Sequence, residues 1–206
     1  MKILFIKSAA VSSGSKSTEI AELFINEVKA LKPEVEIKTF DLYGMEPFPE
    51  QDRDVLNGMF KGESEPMTAL EEEKSKALYG FQDDFLAADV YVIQSSLYNW
   101  ALPGRLMTYL DGVMKPNITY KYTANGPQGL LENKKAIHIH GCGGIYSDGS
   151  QQEFGDSYIQ FIFKLAGVEL LPTIWVEGID FNPDAYDDVM KKSRELAKEM
   201  AKKLLA

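Results

Sequence analysis

Cysteine is almost absent: Cys142 stands alone in 206 residues, so no internal disulfide can form. That suits a reducing, cytoplasmic setting. Histidine is nearly as scarce, with His138 and His140 the only two, which leaves a closed zinc site short of ligands. Long apolar runs are missing too. Nothing approaches the roughly eighteen consecutive apolar residues of a membrane span, and the run at Ile3–Ile6 is too short for a signal peptide. Positive charge is in deficit, with a formal net charge of -9 and basic residues scattered along the chain. A polyanion would be repelled, so neither nucleic acid nor a membrane is an expected partner. What remains is a soluble globular composition, 45% apolar and 26% charged, of a length that fits one domain over residues 1–206.

Periodicity orders that domain. Lys2–Lys7 is a compact apolar run with the signature of a central parallel strand. From about Ser17, Ile20, Leu23, Phe24, Val28 and Leu31 recur at helical spacing until Pro33. Val35–Phe40 alternates as a strand near the sheet edge does. Between Asp41 and Met67 the periodicity is lost, as in a long functional loop with short helices of its own. Leu70, Ala77, Leu78, Phe81, Phe85 and Ala88 predict one helix that feeds a strand at Asp89–Gln94. A shorter helix follows through Leu106, Tyr109, Leu110 and Val113, then a hairpin-like excursion at Ile118–Leu131 around Asn125-Gly126-Pro127. Lys135–His140 is the next strand; Tyr158, Phe161, Ile162 and Leu165 mark a helix; Val168–Val176 is a last strand, and a final helix begins near Pro183. The alternation predicts a doubly wound parallel sheet with helices on both faces.

Such sheets bind ligands at the carboxyl ends of their strands, and three loops there have unusual composition. Ser8–Thr18 is rich in serine and includes Gly14, Ser15, Lys16 and Ser17 at a helix start. Hydroxyls and free amides at a helix N-terminus suit a phosphate, although an N-cap serine is also ordinary. Neither a Walker A loop nor a G-x-G-x-x-G motif is present. Ser95–Pro103 carries Leu97, Tyr98, Asn99 and Trp100, two aromatics and an amide suited to a flat heteroaromatic ring; packing of the rings on the next helix is the alternative. Gly141, Cys142, Gly143 and Gly144 let a ligand lie against main chain, or form a plain turn. Together the three outline a flavin mononucleotide site.

At these residues the chain resembles the FMN-dependent NADH:quinone oxidoreductase and NADH-azoreductase family of bacteria. The most specific segments are Leu97-Tyr98-Asn99-Trp100, Asn125 to Leu130, the strand entry Lys134 to Ile137, and Gly143-Gly144-Ile145. The resemblance implies a flavodoxin-like, doubly wound parallel five-stranded sheet in three α/β/α layers, a homodimer, and FMN near the subunit interface. It implies that Ser15, Lys16 and Ser17 hold the phosphate, that Leu97 to Trp100 line the isoalloxazine, and that Gly141, Cys142, Gly143 and Gly144 cover its other polar edge. Tyr120 stands where the family has an aromatic on the substrate side. NADH or NADPH would supply two electrons for a quinone or azo acceptor in ping-pong fashion, with flavin N5 carrying the hydride, so no catalytic side chain is named. Two positions depart from the family pattern: Ala9 replaces a serine, and Gly141-Cys142 replaces Ser-Arg.

His138 and His140 share a strand face, and strand packing is the expected role for both. Cys142 has no partner thiol, which favours a structural role or passive flavin contact. Glu71-Glu72-Glu73 reads as a solvated helix face. A flavodoxin-type electron carrier and an NAD(P)H:FMN reductase are alternative functions; the Asp41–Met67 and Ile118–Leu131 segments favour a covered, dimeric pocket over the carrier.

Overall fold

A computed structural model describes residues 1–11, 13–61 and 65–205. Its centre is a parallel sheet built from β1 (Lys2–Lys7), β2 (Glu36–Asp41), β3 (Val90–Ser96) and β6 (Lys135–Cys142), completed by two short strands, β7 (Glu169–Leu170) and β8 (Ile174–Glu177). The spatial order is β2-β1-β3-β6, with β7 and β8 both pairing β6 in the fifth position. The expected last strand is thus split, because Pro172 lies between its halves and has no N–H for the ladder.

Alternate residues of each strand face opposite helical layers. Ile3 and Phe5 of β1 and Val90 and Val92 of β3 pack with Ile20, Phe24 and Val28 of α1 (Lys16–Leu31) and Met200 and Leu204 of α7 (Tyr186–Leu205). Leu4 and Ile6, with Tyr91 and Ile93, pack against α5 (Gly104–Val113) and α6 (Gly155–Ala166) through Leu106, Tyr109, Ile159 and Phe163. This is the expected three-layer, doubly wound flavodoxin-like sheet.

Three local expectations need correction. The helix predicted across Leu70–Ala88 is two, α3 (Ala69–Tyr79) and α4 (Gln82–Ala87), parted at Gly80, whose poor helix propensity lets the chain turn. Glu71 is not on a solvated face: it is buried, closes a capping box with Thr68, and pairs with Lys61 at 2.6 Å. Gly141 and Cys142 are not loop residues but the end of β6. The Asp41–Met67 segment contains α2 (Arg53–Phe60), and the excursion is an antiparallel hairpin of β4 (Tyr120–Thr123) and β5 (Gly126–Gly129). Residues 62–64 of that segment, and Ser12 of the first loop, lie outside the described residues. No helix among the described residues is long and apolar enough to cross a membrane.

Candidate functional site

The carboxyl ends of β1, β3 and β6 meet, and buried polar contacts bind them. The Gln94 side chain accepts from the Ser8 amide at 3.0 Å and donates to Ser17 Oγ at 2.9 Å, while Ser8 Oγ donates to the Gln94 carbonyl at 2.7 Å. Ser17 Oγ also lies 3.3 Å from the hydroxyls of Ser15 and Ser96. A Cβ placed on Gly141 would stand 2.9 Å from Ser17 Oγ, so only glycine lets the end of β6 come this close to α1. The Leu97 amide donates to the Gly141 carbonyl at 2.8 Å, joining the second and third loops. Gln94 was not singled out from sequence; its signal is an amide inside an apolar strand.

The first loop offers donors to an anion. Ser15 caps α1, accepting from the Thr18 amide at 3.2 Å and from Thr18 Oγ1 at 2.9 Å, so its own proton remains to be given. The Lys16 and Ser17 amides lie in the first turn, where a helix has no acceptor for them. Lys16 rests its ammonium 4.9 Å from the centre of the Tyr186 ring. Between this loop and Asp41–Gly44 opens a cleft of roughly 530 Å³. Lys7 is part of its lining and pairs with Glu22 at 2.9 Å and Asp41 at 3.9 Å. A first turn of free amides, hydroxyl donors and a lysine fits a phosphate monoester.

The second loop is a two-residue hairpin turn. Tyr98 and Ala101 exchange both backbone hydrogen bonds at 3.0 Å, and the residues between them are left-handed, Asn99 at φ 49° and Trp100 at φ 60°. Two positive φ values make a type I′ geometry, which glycine and asparagine adopt readily and tryptophan does not. Strain of this sort collects at ligand sites. The turn holds Tyr98 and Trp100 exposed, 57% in the case of Trp100. The Trp100 carbonyl accepts from the Phe154 amide at 2.7 Å, so the turn is also tied to the start of α6.

The third segment rests on charge. Glu177 accepts from the Tyr146 and Ser147 amides at 2.8 and 3.1 Å, holding the chain after Gly144. Gly143 faces Asp180, whose carboxylate a Cβ would approach to 2.7 Å. Cys142 is buried, and burial, with Glu153, Glu177 and Asp156 adding to it, pushes its thiol well above the ordinary range. It is a neutral thiol and not a nucleophile. Tyr120 stands apart in the backbone: it pairs with Gly129, which abuts Ala166 and Gly167 at the end of α6 farther from these loops.

Beneath the rim lies a polar cluster on the α6 face of the sheet. His138 and His140 are wholly buried, and Ser95 Oγ is 2.7 Å from both His138 Nε2 and His140 Nδ1. His138 Nδ1 meets Asp156 Oδ1 at 2.7 Å, and Thr173 donates to the same oxygen at 2.7 Å. The histidines are therefore more than packing residues; Ser95 is marked in the sequence only as the start of the second loop, and Glu153 and Asp156 carry no mark there. Burial pushes the His138 pKa down to about 4, partly opposed by the Asp156 hydrogen bond. Burial works against the Asp156 charge, yet bonds from His138 and Thr173 hold its carboxyl below the usual range.

Comparison with known proteins agrees with this fold. A family model described as a flavodoxin-like fold matches residues 1–201. An FMN-dependent NADH:quinone oxidoreductase of Staphylococcus haemolyticus is 37% identical over 205 residues, 98% of each chain. An azoreductase structure from Bacillus anthracis superposes with a TM-score of 0.89 at 29% identity, covering 98% of this chain and 99% of that one. A second structure from that organism, an FMN-dependent NADH-azoreductase in complex with FMN, gives a TM-score of 0.85 at 25% identity over 97% of this chain and 99% of its own.

Proposed function

The chain belongs to the family of flavodoxin-like fold, and from that premise we propose that it is an FMN-dependent oxidoreductase passing two electrons from NADH or NADPH to quinones or azo compounds. The observation that carries this reading is the convergence of three loops, one rich in anion donors and one presenting exposed aromatics on a strained turn. Ser15, Lys16 and Ser17 hold the phosphate; Leu97 to Trp100 line the ring; Gly141 to Gly144 give it a main-chain edge. Bound FMN supplies the hydride chemistry. The chain supplies position and a planar stacking surface, which a nicotinamide and a flat acceptor occupy in turn, so the kinetics are ping-pong.

A homodimer in the cytoplasm completes the proposal. Trp100, Phe154, Phe161 and Tyr122 are each more than half exposed in the single chain, more aromatic surface than a monomer ordinarily leaves in water. A second copy placed over it would cover both the aromatics and the flavin face. Light scattering behind size exclusion tests the dimer: a mass of one chain refutes it.

The decisive experiment is a visible spectrum of the purified protein, followed by anaerobic NADH and then a quinone. Flavin bands that bleach with NADH and return with quinone are expected. A protein that takes up no FMN overturns the reading.

A further inference from the structure

We propose that Asp156, His138, Ser95, His140 and Glu153 form a directed hydrogen-bond chain that holds His140 as an imidazolium against the Glu153 carboxylate and so clamps the Gly141 end of β6 to the start of α6. Its consequence for ligand affinity rests on the flavin reading above; the assignment of protons does not.

The polarity follows from which atoms can donate. An ionised carboxylate only accepts, so the His138 Nδ1 that meets Asp156 Oδ1 at 2.7 Å carries a hydrogen. Neutral His138 then has a bare Nε2, which accepts from Ser95 Oγ at 2.7 Å. With its single proton committed, Ser95 Oγ accepts from His140 Nδ1, also at 2.7 Å, and that nitrogen carries a hydrogen as well. Were His140 neutral, its Nε2 would be a bare acceptor. That atom is buried, has no hydrogen-bond partner among the described residues, and lies 3.6 Å from Glu153 Oε2. Two acceptors would face each other out of water, which one proton relieves.

The proton belongs on the ring and not on Glu153. Oε2 of Glu153 accepts from the Gly155 and Asp156 amides at 2.6 and 2.8 Å, and Oε1 from Ser157 at 3.2 Å, so the carboxylate sits among donors at the start of α6. The other groups around His140 are Ser95 from β3, the neutral His138 ring on β6 with its centre 4.6 Å away, the Trp175 ring on β8 with its centre 5.5 Å away, and Asp156 at the α6 start. The α6 dipole opposes a cation here; two carboxylates favour it. Gly155 completes the fit, because a Cβ there would lie 3.0 Å from Cε1 and Nε2 of His140.

His140 directly precedes Gly141, and Ser95 is the first residue of the Ser95–Pro103 segment, so the chain positions two of the three ligand segments. Without that proton Nε2 and Glu153 would be facing acceptors, and the α6 start would lose its hold on the rim. These are positioning residues and touch no substrate.

With two histidines in the sequence, a histidine-labelled apo-protein shows only two ring systems by nitrogen NMR, and His140→Gln assigns them. At neutral pH, His138 should be the neutral Nδ1–H tautomer and His140 doubly protonated. In Glu153→Gln the carboxylate charge is gone, and an amide NH2 turned to Nε2 donates to it while the remaining oxygen accepts from Ser157, so His140 should turn neutral. FMN affinity at neutral pH should be about tenfold weaker in Glu153→Gln than in the wild type, the scale of one lost charge-assisted contact. A neutral His140 or an Nε2–H His138 in the wild type overturns the proposal, whether or not the variants fold. A charged His140 with equal FMN affinity in the wild type and Glu153→Gln overturns its link to the rim. No FMN uptake at any pH overturns the flavin reading alone, since the ring spectra decide the protons without it.

Discussion

Gln94 Nε2 donates to Ser17 Oγ at 2.9 Å, joining the middle of the sheet to the first turn of the helix that faces the proposed phosphate site. Both residues are buried, and the same amide oxygen accepts from the Ser8 backbone. A single side chain thereby sets the separation of two candidate ligand loops. Gln94→Leu keeps the volume and removes the bonds, leaving the Ser8 side of the contact weakened in a dry place. Denaturant unfolding should show a loss of about 1–3 kcal/mol, and FMN titration a weaker complex. Unchanged values in both would mean that water replaces the amide.

Trp100 holds a left-handed backbone, which costs a residue with a side chain roughly 1–2 kcal/mol. Trp100→Gly creates Asn-Gly, the preferred pair for a type I′ turn. Thermal unfolding should move upward while kcat/KM for a quinone falls, because the exposed stacking surface is gone. A drop in both would show that the indole stabilises the fold by packing that outweighs the strain.

His138 makes stability fall on the acid side. Its folded pKa, about 4, lies below the value of about 6.5 in the unfolded chain, so the folded state binds fewer protons between them. The contribution is whole above the unfolded value and is lost as pH falls through the window. It is on the order of 3 kcal/mol. The lowered Asp156 carboxyl acts in the same sense at still lower pH. Urea midpoints should therefore drop from about pH 7 to about pH 5, and the slope should shrink in His138→Gln.

Arg105 pins the segment after β2. Its guanidinium donates to the carbonyls of Leu42 and Met45 at 3.0 and 3.1 Å and to Glu46 at 2.5 Å, and lies 5.0 Å from the ring centres of Tyr43 and Phe48. Arg105→Ala should cost about 1–3 kcal/mol and speed limited proteolysis between residues 41 and 61. Arg105→Lys should not restore protection, since an ammonium lacks the planar fork that spans three acceptors.

The strands were legible because an apolar run such as Ile3–Ile6 or Val90–Ile93 has one satisfactory place, buried on both faces of a parallel sheet. The ligand rim was legible for a related reason: glycine, serine and asparagine where strands end mark backbone that a regular element does not use. Breaks inside elements were less so. Gly80 and Pro172 are visible in the sequence, but whether each kinks, splits or is tolerated depends on the surface it packs against.

Periodicity and composition by themselves determined the order of elements, the layering and the rim that would take a ligand, because burial of apolar surface depends on spacing within one segment. Tertiary structure alone decided the polar interior. Gln94 meets Ser8 across 86 positions of sequence, and Asp156 meets His138 across 18. A hydrogen bond depends on the direction and distance of two particular atoms, and no local pattern carries the identity of a partner that distant folding supplies.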